Sequence, residues 1–189
     1  HGGGGGGGHS VGGAGEPSPK PAQGGGGGAL DVTAVDASRE ALAYVAENVR
    51  KYALEDRVRV AQGSWFEALK RGAGGEAGEQ AKFSGILSNP PYIGQGEMSG
   101  LQAEVRLHEP ASALASGPDG MDDLVHIVTE APHFLAPGGF LGLETGGALQ
   151  THRLSRFLSQ NQVGLGLTSV QIKPDLQGVE RFLIARKST

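Results

Sequence analysis

Asn89-Pro90-Pro91-Tyr92 is the segment of this 189-residue chain whose residue types and spacing point to chemistry. It directly follows the run Gly85-Ile86-Leu87-Ser88, which predicts a strand that the double proline must stop. The four residues therefore sit at a strand's carboxyl end. A planar amide nitrogen is a poor nucleophile because its lone pair is delocalised into the carbonyl. Two acceptors placed to take both N–H groups favour a more tetrahedral, reactive nitrogen. The Asn89 side-chain oxygen and the Pro90 carbonyl are suitable acceptors, and the prolines hold them preorganised. Tyr92 adds a flat face for a planar amide or a base. The plainer alternative is a strand-ending turn, since Asn-Pro and Pro-Pro are ordinary turn dipeptides.

Three other positions carry candidate chemistry, each with a bland alternative. Asp36 ends a short β-branched run and precedes a helix, where an acidic side chain in nucleotide-binding folds accepts hydrogen bonds from ribose hydroxyls. It also suits a carboxylate that merely favours the helix dipole. Trp65 follows a strand end and could stack on an adenine, or could simply be core beside Phe66. Glu144 faces either the ligand end of a sheet or nothing in particular. The six histidines form no ligand set, so no metal is expected, and with no cysteine there is no thiolate chemistry.

The elements that must position these residues follow from periodicity. Leu30–Asp36 predicts a buried parallel strand. Ser38 is a candidate N-cap, and Leu42, Val45, Ala46, Val49 and Ala53 recur at helical spacing. Residues 57–62 and 83–88 predict two more strands, with a Gly/Glu-rich loop over 72–80. Residues 93–120 read as irregular, with a helical turn near 99–105. Met121 to Leu135 predicts a helix that Pro132 should kink or shorten. Pro137-Gly138-Gly139 predicts a stop and turn before a strand at 140–144. A helix over 149–159 and two β-rich runs, 165–173 and 181–185, complete the chain as an antiparallel hairpin. Strands alternating with helices predict an α/β, doubly wound, mostly parallel sheet. Ligands bind such sheets beyond the strands' carboxyl ends, the rim on which Asp36, Ser64-Trp65, Asn89–Tyr92 and Glu144 are expected to converge.

Residues 1–28 hold 15 of the 34 glycines and little that could form a core. They predict a disordered segment ahead of one domain over 29–189. A net charge of −4 and a pI near 5.9 argue against a general nucleic-acid binder. No apolar run is long enough to span a bilayer, so a soluble protein without a membrane partner is expected. The chain does not begin with Met and reads as a fragment or processed product.

The motif set resembles one family. Asn89–Tyr92 is similar to the signature of amino-methyltransferases. Glu104–Pro110, Ala113-Leu114, Gly120-Met121-Asp122, Pro137-Gly138-Gly139, Leu143-Glu144, Ser64-Trp65-Phe66 and Asp175–Phe182 are similar to HemK/PrmC enzymes, in the family's order. Those enzymes methylate the glutamine of the Gly-Gly-Gln motif in peptide-chain release factors. The resemblance covers about residues 30–187. It implies a Rossmann-like class I methyltransferase fold using S-adenosyl-L-methionine, with a release factor as protein substrate. It also implies that Asp36 binds the cofactor ribose and Trp65 lies against its adenine. Asn89 would meet cofactor and substrate, while Pro90, Pro91 and Tyr92 line the glutamine pocket and Glu109 shapes or braces it.

Two features depart from the family. An acidic residue followed by Gly-x-Gly should precede the strand at 30–36, but Gly2–Gly8 and Gly24–Gly28 stand there. Polyglycine without a feeding strand and a following helix does not make a cofactor loop. The first strand, the glycine loop and the family's small N-terminal helical domain are thus missing, and the domain is expected to be incomplete on that side. Methylation of adenine or guanine amino groups, or a catalytically silent methyltransferase-like fragment, are the alternatives. The expected compartment is bacterial cytoplasm or, in a eukaryote, plastid or mitochondrion, and a monomer is expected.

Overall fold

The computed structural model describes residues 30–70, 82–100 and 111–189. The Gly/Pro-rich segment 1–28, the loop at 72–80, and Glu104–Pro110 with Glu109 lie outside the described residues. Strand β1 (Val32–Asp36) leads to helix α1 (Arg39–Lys51), strand β2 (Val58–Gln62) and the one-turn helix α2 (Glu67–Lys70). Strand β3 (Phe83–Ser88) follows, then a 3-10 segment (Gln95–Gly100) and the short helix α3 (Ala111–Leu114). Helix α4 (Asp122–Glu130), strand β4 (Leu135–Glu144), helix α5 (Ala148–Leu165) and strands β5 (Leu167–Pro174) and β6 (Glu180–Lys187) complete the order.

The local chemistry explains the boundaries. Ser38 is extended, and its hydroxyl accepts from Ala41 N at 3.2 Å, satisfying one orphan amide at the start of α1. Pro132 has no amide to donate and falls in a 3-10 turn (Ala131–His133), so α4 stops at Glu130 instead of running to Leu135. Helix α5 is longer than its sequence predicts. It continues through Gly164 to Leu165 and ends on Gly166 in the left-handed conformation, with Gly166 N donating to Gln162 O.

The strands form two hydrogen-bonded ladders. β1 and β2 pair in parallel, Val32 opposite Val58 through Asp36 opposite Gln62. The other ladder has the order β3-β4-β6-β5, with β3 and β4 parallel and β4-β6 and β6-β5 antiparallel. The mostly parallel α/β arrangement with a terminal antiparallel hairpin expected from sequence is present, its hydrogen-bonded ladders falling into a two-stranded and a four-stranded unit.

The Pro137-Gly138-Gly139 turn is also placed differently. It lies inside β4 as a bulge: Phe83 pairs with Leu135 and Gly85 with Phe140, and Gly138 has φ +75°. The excursion lets one strand serve β3 on both sides of the turn. Arg186 Nη1 caps it by donating to Gly138 O at 3.0 Å.

One face of the four-stranded sheet carries the core. Leu124, Ile127 and Val128 of α4 and Leu154 and Leu158 of α5 pack on Leu141, Leu143, Leu183 and Ala185, all essentially sealed from water. Burial of this kind contributes about 1.5–3 kcal/mol per large aliphatic side chain. Phe66, after β2, stacks on Phe134 with ring centroids 4.7 Å apart, which ties the α2 region to this core. The opposite face presents Leu87, 77% exposed, beside Gly142.

The hairpin is closed by Asp175. Its Oδ1 accepts from Gln177 N and Val179 N, both at 2.9 Å, and its Oδ2 from Arg181 Nε at 3.1 Å. The Val179 amide, then the Gln177 amide and the Arg181 guanidinium, hold this carboxyl below the ordinary aspartate value of 3.8. A depressed folded-state pKa gives stability that is present above the unfolded value and lost as pH falls through the folded one. The difference in melting temperature between wild type and Asp175→Asn is therefore expected to persist at neutral pH and shrink below about pH 3.8. Thermal melts between pH 7 and pH 2.5 check this; a constant difference would exclude the carboxylate as its source.

Candidate functional site

The site grows from the end of β3. Ser88 is the last strand residue, Asn89 is exposed, Pro90 is buried, and Pro91 and Tyr92 are half-buried. The buried proline anchors the turn while the asparagine amide projects from the sheet. Beyond Tyr92 the chain is stitched to the segment before α4: Ile93 N donates to Leu114 O, Ser116 N to Ile93 O and Gln95 N to Gly117 O, at 2.9 to 3.0 Å. Gly94 is buried with Pro118 O against it, leaving little room for a side chain.

Tyr92 is held from two sides. Gly120, at φ +75°, lies so close that a Cβ there would stand 2.2 Å from Tyr92 O. Gly146, just past β4, faces the ring, with its notional Cβ 3.1 Å from Tyr92 Cδ2. Gln150, in the first turn of α5, donates through Nε2 to Tyr92 O and to Gly120 O, each at 2.9 Å. Its Oε1 accepts from Gly146 N at 2.7 Å. Arg153, one turn further along α5, pairs with Asp119 and holds that carboxyl below its ordinary value. Behind them the buried hydroxyls of Thr145 and Thr151 meet at 2.5 Å and bond to backbone carbonyls at Gly147, Glu180 and Arg181, so the turn after β4 is tied to the start of β6.

An open cleft of about 370 Å³ lies on the uncovered sheet face at the carboxyl ends of β3 and β4. Leu87, Gly142 and Ile184 form its apolar floor, and Asn89 and Glu144 its polar end. The absence of a side chain at Gly142 lets the Leu87 side chain lie across it: a Cβ would stand 2.7 Å from Leu87 Cδ2. The cleft thus offers an apolar bed with an amide and a carboxylate at one end, which suits an amphipathic organic ligand better than a bare ion. Among the described residues no group of side chains could hold a metal.

Of the positions singled out in the sequence, Asn89 and Glu144 both line this cleft, and Pro90, Pro91 and Tyr92 follow Asn89 in the chain without being among the lining residues. Asp36 and Trp65 are not among the residues lining it. Asp36 is exposed at the carboxyl end of β1, and its Oδ1 accepts from Ser38 N at 2.7 Å. That bond corresponds to the helix-flanking alternative. Trp65 sits in the turn after β2 with φ +49°, half-buried against the edge of the main core, its ring centroid 6.4 Å from that of His126. His126 and His133, seven apart, are both exposed on separate elements. Gln150 was not foreseen, because a glutamine at the start of an amphipathic helix carries no signal in a single sequence.

Residues 4–100 match the family model described as RNA cap guanine-N2 methyltransferase. The release factor glutamine methyltransferase of a Synechocystis strain is 40% identical over 157 residues, 82% of this chain and 48% of its own length. The ribosomal protein uL3 glutamine methyltransferase of Bordetella pertussis is 45% identical over 115 residues, 61% of this chain and 35% of its own. The chain spans about half the length of the curated release factor methyltransferases it matches over most of its own extent. Among solved structures, the delta-N METTL16 MTase domain is similar in fold, with a TM-score of 0.56 at 18% identity, covering 83% of this chain and 61% of that one. A mostly parallel α/β fold ending in an antiparallel hairpin, an Asn-Pro-Pro-Tyr turn on the strand-end rim and these similarities lead to one conclusion. The chain belongs to the methyltransferases, on a Rossmann-like fold, and is similar over most of its own length to release factor glutamine methyltransferases.

Proposed function

We propose that the protein carrying this chain transfers a methyl group to the side-chain amide nitrogen of a glutamine, and that the glutamine is that of a release factor's Gly-Gly-Gln motif. One observation carries the reading: Asn89 projects from the end of β3 into the cleft while Pro90 and Tyr92 are fixed behind it. The Asn89 oxygen and the Pro90 carbonyl accept the two amide N–H groups, and the ring of Tyr92 bounds the amide plane. Positioning and preorganised acceptors supply the rate enhancement, and the proton leaves after transfer, so no strong base is required.

The donor set at hand fits S-adenosyl-L-methionine in part. Asp36 offers an exposed carboxylate at a strand's carboxyl end for ribose hydroxyls, and Trp65 offers a half-buried ring for adenine. Asn89 meets the reacting end. When bound, that cofactor supplies an electrophilic methyl group on its sulfonium.

The test is transfer of labelled methyl to a release factor, to its Gln→Ala variant in the Gly-Gly-Gln motif, to ribosomal protein uL3 and to RNA. Labelling of the first alone is expected. Labelling of uL3 alone would keep the glutamine chemistry and change the substrate, and labelling of RNA alone would overturn both.

A further inference from the structure

We propose that Gln150 is a positioning residue for methyl transfer, fixing the Asn89–Tyr92 loop against the end of β4. The inference rests on the reading of that loop as the substrate amide's acceptor site. A primary amide has two donor hydrogens on nitrogen and an acceptor oxygen. Gln150 uses both ends: Nε2 donates to Tyr92 O and Gly120 O, and Oε1 accepts from Gly146 N. The partners fix the amide's orientation, because the two carbonyls can only accept and the Gly146 amide can only donate.

Those partners lie on three segments that share no strand ladder at these points. Tyr92 is the exit of the acceptor loop, Gly120 the turn before α4, and Gly146 the turn leaving β4 directly after Glu144 and Thr145. One side chain on α5 therefore sets the spacing between the loop and the strand end that carries the cleft's carboxylate. The two glycines beside the amide make the room Tyr92 occupies, since a Cβ on either would press on its carbonyl or ring. Helix α5 is itself clamped to the core through Leu154 and Leu158, so the amide is presented from a rigid base. Gln150 is not among the cleft-lining residues, and its link to the acceptor loop runs through the Tyr92 backbone.

The test uses Gln150→Met, similar in size but without these hydrogen bonds, and Gln150→Glu, which keeps the acceptor for Gly146 N and loses the donors. On the full-length protein, kcat for the glutamine substrate is expected to fall about tenfold to a hundredfold in both variants, because small misplacements of reacting groups have effects of that order. KM should stay within about threefold, as the substrate's remote contacts are untouched. Hydrogen exchange at the amides of 92–94 should accelerate about tenfold or more, while the amides of α4 and β6 keep their protection. Unchanged exchange at 92–94, or a rise in KM with unchanged kcat, would overturn the proposal. A protein that methylates no glutamine would defeat the functional reading, yet the exchange measurement would still decide whether Gln150 holds the loop.

Discussion

Asn89→Ala is expected to lower methyl transfer by roughly a hundredfold to a thousandfold, the scale seen when one preorganised polar group is removed from a reacting centre. The side chain is exposed at the end of β3 and has no place in the core cluster, so the melting temperature should change little. Asn89→Asp is the informative companion. It keeps an acceptor oxygen of the same reach but adds a charge, which should tighten the hold on the amide N–H groups while disturbing the apolar cleft beside Leu87 and Ile184. Rates under saturating substrate, with circular dichroism as the folding control, distinguish these cases. Undiminished transfer by Asn89→Ala would remove the central support for the proposed chemistry.

Gly120→Ala is expected to be the most damaging single-methyl change at the site. The residue is buried, has φ +75°, and a Cβ would stand 2.2 Å from Tyr92 O and 2.8 Å from Gln150 Nε2. The first of these neighbours is backbone and cannot swing aside. A left-handed conformation and forced overpacking together should cost about 2–4 kcal/mol, measurable by urea denaturation. Gly138→Ala is the control: its φ is the same, but no atom lies within 4 Å of the added methyl. It should show the conformational part alone, about 1–2 kcal/mol. Equal losses in the two variants would mean that the contact with Tyr92 adds nothing.

What the sequence disclosed, and what it did not, divides along physical lines. Local signals were legible. Ser38 caps α1 because its hydroxyl reaches an amide three residues on, and Pro132 ends α4 because proline cannot donate. The double proline closes β3 for the same reason. Boundaries that depend on partners elsewhere were not legible. Pro137-Gly138-Gly139 has the composition of a turn and is one, but only its pairing on both sides with β3 makes it a bulge within a strand. Helix α5 passes through Gly164 because Leu154 and Leu158 hold its inner face to the sheet, a tertiary effect that outweighs propensity. At the site, Asn89 and Glu144 could be brought together on paper because both end parallel neighbouring strands. Gln150 could not, since its meaning lies entirely in three backbone groups distant in sequence.

The gap between the two ladders also bears on how folding and ligand binding are coupled. All members of the main core cluster lie at Phe66 or beyond, and Leu42 is the sole buried side chain of α1. The β1-α1-β2 unit is therefore expected to be the less stable part and to unfold ahead of the rest, as two steps in a thermal melt. A ligand gripped at once by Asp36 on that unit and by Asn89 on the other would act as the missing crossbar. It would raise the weaker unit's stability by its binding free energy, so that the two melting steps merge into one as ligand concentration increases.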